Sequence, residues 1–110
     1  MSSYSVVEEL FDKHYRVLRV DEGSRRIYSI DYYIRLPKPP QCHDTLSIDN
    51  VTLCYIKLGL CEIVVSIVDE IIELINAKLI VDVSKDLTGG SPAKAREICL
   101  TEISKFLEVL

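Results

Sequence analysis

Apolar side chains dominate residues 51–75, broken only by Lys57, Glu62, Asp69, Glu70 and Glu73 among charged residues. A stretch this apolar must be covered on most sides, and its periodicity decides by what. The less apolar positions are Thr52, Tyr55, Gly59, Glu62, Ser66, Asp69, Glu73 and Asn76, at spacings alternating between three and four. That is the mark of a helical stripe. It predicts one long helix over about residues 48–77, N-capped by Ser47 and spanning about 45 Å. The strand-like composition of VTLCYIKL keeps a second reading open: a strand over 51–58 and a helix from 60, with Gly59 at the junction. The charges inside the run exclude a membrane span. Glu62, Asp69, Glu70 and Glu73 read as a solvated stripe, because one helix face brings no further ligands to them.

Around this run the remaining elements follow from local signals. Residues 4–13 read as a short helix, with Ser5 and Glu8 spaced as a capping box. YRVLRV and RRIYSIDYYIRL form a β-hairpin around DEGS, and the PKPP run ends its second strand. Tyr28, Ile30, Tyr32, Ile34 and Leu36 share the core face of that strand, while Tyr33 and Arg35 point the other way. KLIVDVS is a short strand, and residues 92–109 form a C-terminal amphipathic helix. The expected fold is therefore α+β in a single domain of 110 residues. Its order is short N-terminal helix, β-hairpin, long apolar central helix, short strand and terminal helix.

Three groups of residues bear on function. The hairpin region, residues 14–40, holds six Lys or Arg against three Asp or Glu, whereas residues 41–110 hold six against eleven. Arg16, Arg19, Arg25, Arg26, Arg35 and Lys38 beside Tyr33 form a candidate nucleic-acid-binding surface, since arginine and tyrosine on a strand face suit phosphates and stacked bases. The net charge of −4 argues against a broad nucleic-acid footprint. SKDLTGGSPAK joins the last strand to the last helix, and Gly89, Gly90, Ser91 and Lys94 are candidate anion ligands at a helix N-terminus. It lacks both the GxxxxGK[ST] and GxGxxG patterns, and Ser91 as N-cap with Pro92 at the first helical position explains it structurally.

The third group is the outer surface of the central run. A helix apolar nearly all round exceeds what so small a domain covers, so Val64, Val68 and Ile72 are candidate homodimer contacts.

Cys42, Cys54, Cys61 and Cys99 form no CxxC pair, and His14 and His43 are the only histidines. Neither a metal site nor a cofactor is expected. The cysteines read as buried thiols, with disulfides as the alternative in a hyperthermophilic cell. Few thermolabile amides and many charged residues point to a thermophilic source. No secretory signal is recognised, which places the chain in the cytoplasm. No nucleophile–base pair can be assembled, so the expected role is a non-enzymatic interaction or assembly protein, partnered by itself or by another protein. A nucleic-acid-binding or anion-binding module using residues 14–40 is the alternative.

Overall fold

The middle of the chain is rich in Val and Ile, and these stiff β-branched side chains settle in strands. The computed structural model describes residues 5–11, as backbone, and residues 16–110. Seven strands run antiparallel: β1 (Ser5–Phe11), β2 (Arg16–Glu22), β3 (Arg25–Arg35), β4 (Asp44–Ile48), β5 (Val51–Leu58), β6 (Cys61–Val68) and β7 (Ile71–Asp82). They form one sheet in the order β1-β2-β3-β7-β6-β5-β4. A turn of 3-10 helix over Val83–Lys85 leads to the helix α1 (Pro92–Val109).

The long central helix does not exist. Residues 51–75 are β5, β6 and the start of β7, joined by two-residue turns at Gly59-Leu60 and Asp69-Glu70. Gly59 has φ +60° and Asp69 φ +54°, the positive values that hairpin turns require of their first residue. Asp49, also at φ +54°, turns β4 into β5, so Ser47 lies in a strand and caps nothing. The helical spacing was a coincidence of two causes. Gly59 and Asp69 are polar because they turn the chain, whereas Tyr55, Glu62, Ser66, Glu73 and Asn76 lie on one sheet face. The alternative strand over 51–58 matches β5, but a second strand follows it, not a helix. The N-terminal helix is likewise a strand over Ser5–Phe11; the rest of the expected span 4–13, like His14, lies outside the described residues. The fold is thus a large antiparallel sheet with one α-helix among the described residues, not an α+β chain with a long apolar helix.

Ladder partners share a face. Val17, Ile30, Ala77, Ile63 and Ile56 form one row across β2, β3, β7, β6 and β5, all buried. α1 covers one end of this inner face with Ala95, Cys99 and Ile103, one helical turn apart and fully buried. The segment between β3 and β4 covers the other end. It crosses from the middle of the sheet to the far edge, with Leu36 and Pro40 buried and the Leu36 N–H donating to the Ile72 carbonyl at 2.8 Å. Each cover carries a disulfide: Cys61–Cys99 ties α1 to β6, and Cys42–Cys54 ties the crossover to β5. The four cysteines are therefore bonded, not free thiols. Chain-entropy reasoning ranks the two bonds by sequence separation, 38 for Cys61–Cys99 and 12 for Cys42–Cys54. Removing Cys61–Cys99 as a pair of alanines should cost about 4 kcal/mol and removing Cys42–Cys54 about 3. Denaturant unfolding measures both, and peptide mapping without reductant should recover only these two links; a link from Cys54 to Cys61 would overturn the register of β5 and β6.

Candidate functional site

The two polar regions singled out in the sequence meet in space. On the inner face, beside the N-terminus of α1, Arg19 and Tyr28 occupy one ladder row and Asp21 and Arg26 the next. The Arg26 Nε donates to Asp21 Oδ1 at 2.9 Å, and its Nη1 to Asp86 Oδ2 at 3.0 Å. Arg19 donates to Asp21 Oδ2 at 3.0 Å and to the Gly90 carbonyl at 3.1 Å. The Tyr28 hydroxyl lies 2.6 Å from Asp86 Oδ2 and 2.7 Å from Thr88 Oγ1. Thr88 in turn donates its Oγ1–H and its backbone N–H to Asp86 Oδ1 at 2.6 and 2.9 Å.

The glycine-rich loop is therefore anchored by the arginines of the hairpin, not open to an anion. Gly89 N–H donates to the Asp86 carbonyl, Gly90 N–H to Thr88 Oγ1 and Ser91 N–H to the Thr88 carbonyl. Ser91 Oγ accepts from Lys94 N–H at 3.3 Å and caps α1, with Pro92 in its first turn. Gly90 is buried at φ +89°, and a Cβ there would sit 2.9 Å from Arg19 Nη1. Glycine is needed for the close approach of that arginine, not for a phosphate.

The electrostatics fit a structural lock. Hydrogen bonds from Arg26 and Arg19 lower the Asp21 carboxyl from 3.8 to about 2. Burial alone would push Asp86 up, but the hydrogen bonds from Thr88, Tyr28 and Arg26 outweigh it and hold the carboxyl well below its ordinary range. Burial first, then the Asp86 carboxylate, pushes the Tyr28 hydroxyl up. The contacts with Asp21 and Asp86 keep Arg26 charged.

The other hairpin cations lie on the outer face or beyond it. Arg16 stands opposite Asp31 in the ladder, Arg25 opposite Glu22 and Asp82, and Arg35 opposite Glu73. Lys38 is exposed in the crossover, and Tyr33 is 74% exposed. The candidate nucleic-acid residues thus divide between two faces, each strand arginine with a carboxylate within reach of its row.

Two hollows remain. One, beside α1, is lined by Leu60, Leu79, Val81, Leu87 and Ile98; at about 220 Å³ it falls below the usual size of small-molecule sites. The other gathers His43, Asp44, Tyr55, Lys57 and Glu62 on the outer face, where His43 Nδ1 already accepts from the Lys57 N–H at 2.9 Å. Neither assembles a nucleophile with a base. Cys42, bonded to Cys54, has no thiolate to offer a metal beside His43.

The outer face carries what the sequence reading missed. Its central row, Ser29, Lys78, Glu62 and Lys57, is polar. Toward the β4 corner a row of Ile71, Val68, Val51 and Ile48 runs across four strands, with Ile71 48% and Ile48 57% exposed. Leu53 and Leu46 lie in the adjacent row, and Leu46 is 47% exposed. Of the three candidate dimer contacts, Val64 and Val68 lie half-buried on this outer face, whereas Ile72 is 7% exposed on the inner one. Paired β-branched residues such as Val64-Val65 and Ile67-Val68 were the signal of strands apolar on both faces. No family model, curated protein or solved structure matches the chain.

Asp21 and Asp86 both titrate lower in the fold than in the open chain. The contribution of Asp21 to stability is complete above 3.8 and drains away as pH falls through about 2, and that of Asp86 persists further into acid. Asp21→Asn should be less stable than wild type at neutral pH, and the gap should close between pH 4 and 2. Denaturant unfolding across that interval tests it; a gap that does not narrow would show that Asp21 is not held ionised by the arginines.

Proposed function

We propose that this chain is a non-enzymatic assembly protein that acts as a homodimer through the apolar β4 corner of its sheet. The observation that carries this reading is the Ile71–Val68–Val51–Ile48 row with Leu46 and Leu53 beside it. Apolar side chains in a contiguous patch mark an interaction surface, and a second copy is the simplest cover. The two hollows and the arginine network offer no competing chemistry. The alternative role in nucleic-acid binding is weakened, because Arg19 and Arg26 are anchored to Asp21, Asp86 and Gly90, which leaves it Arg25, Arg35, Lys38 and Tyr33 as exposed candidates.

Wild-type protein should scatter light as a dimer at micromolar concentration. Leu46→Lys should give a folded monomer, because its side chain lies exposed at the β4 corner of the outer face, whereas Ile72→Lys should unfold the chain by burying a charge in the core. A wild-type monomer at that concentration would end the dimer reading.

The same reading extends to location. No helix among the described residues is long and apolar enough to cross a membrane. Two disulfides suit an oxidising compartment or the interior of a hyperthermophile, and the charged, amide-poor sequence favours the cytoplasm of the latter. This assignment carries an expected thermal midpoint above about 90 °C. Calorimetry showing a midpoint in the mesophilic range would move the protein to an oxidising compartment.

A further inference from the structure

We infer that β4 is the seam of the dimer: two copies pair their β4 strands antiparallel about a two-fold axis and continue one sheet into the other. The inference rests on the dimer reading and adds where the copies meet.

β4 ends the sheet, and all five of its residues, Asp44–Ile48, are exposed. An edge strand presents unpaired N–H and C=O groups, and natural proteins usually blunt it with charge, proline or a bulge. After Asp44 at its start, β4 reads Thr-Leu-Ser-Ile with no charge, proline or bulge, and its ladder with β5 is regular. The opposite edge differs: the sequence of β1 carries Glu8 and Glu9, and its register with β2 shifts between Val6 and Glu8. A two-fold seam at β1 would gather like charge in a chain of net charge −4; a seam about Leu46 sets Asp44 opposite the partner's Ile48, so no carboxylate stands opposite another.

The segment is also complementary to itself. With the axis at Leu46, Leu46 stands opposite the partner's Leu46 and Thr45 opposite the partner's Ser47. Leu46 and Leu53 share a row of the outer face, so pairing sets four leucines in one line across the seam. Thr45 and Ser47 alternate to the inner face, where threonine and serine pair well across strands. Strand addition supplies backbone hydrogen bonds, and the leucine line supplies apolar burial.

A cysteine scan tests the register, because the native cysteines are all bonded. Leu46→Cys should form a covalent dimer when treated with diamide and run on a non-reducing gel. Thr45→Cys and Ser47→Cys should each stay uncoupled alone but cross-link when mixed. On the wild-type protein, amide exchange within residues 45–48 should slow as concentration rises through the dimerisation range. If the protein scatters as a dimer yet Leu46→Cys does not couple and residues 45–48 exchange alike at all concentrations, the seam lies elsewhere and only this inference falls. A wild-type monomer overturns both readings.

Discussion

An antiparallel sheet of seven strands has two faces, and the described residues supply one α-helix and one long crossover with which to cover them. Both lie on the same side. That allocation governs the rest of the structure. The inner face can be strictly apolar, with Val17, Ile30, Ala77, Ile63 and Ile56 in one unbroken row. The outer face must tolerate water, and its Lys78–Glu62–Lys57 row alternates charge across strands. A domain of this size buries limited apolar surface, so the covers themselves need fixing. The chain does so covalently, one disulfide for α1 and one for the crossover.

The arginine network has the same purpose in non-covalent form. The connection from β7 to α1 turns through Asp86, Thr88 and Gly90, and each is tied back to β2 or β3. A buried carboxylate is costly without partners. Asp86, with its side chain 2% exposed, has three protein donors besides the guanidinium: the Tyr28 hydroxyl, the Thr88 hydroxyl and the Thr88 backbone N–H. The network therefore fixes the entry angle of α1, and Cys61–Cys99 fixes its middle. Polar groups so fully engaged have little left with which to recognise a ligand.

How much of this was legible in the residues depends on the range of the signal. The hairpin over 16–35 and the helix over 92–109 were readable because their cues are local: Gly23 in the turn, Ser91-Pro92 at the cap, and alternation from Tyr28 to Tyr32. The central strands were not. β6 is apolar toward both faces at Val64-Val65 and Ile67-Val68, which erases the two-residue alternation that betrays a strand. The Asp69-Glu70 turn lacks glycine, and its spacing from Gly59 imitates helical periodicity. The site failed differently. Both halves of the network were noticed, the hairpin arginines and the glycine loop, yet each was read as waiting for an outside ligand. Their pairing spans 60 residues from Arg26 to Asp86 and 71 from Arg19 to Gly90, and no local pattern records it.

The misread helix and the outer-face patch have one origin. The run over residues 51–75 looked too apolar for a single domain to cover, and that judgement of quantity survives the change from helix to sheet. As a helix, the excess would have been spread around a cylinder, with Ile72 as eligible to face a partner as Val64 or Val68. As strands, alternation sorts it: Ile72 goes to the core, while Val64 and Val68 go outward. Part of that excess, the Ile71–Val68–Val51 row, then falls in the corner against the terminal strand. Loss of the long helix therefore sharpens the case for self-association, because a sheet edge adds directional backbone hydrogen bonding to what would otherwise be a non-directional apolar contact.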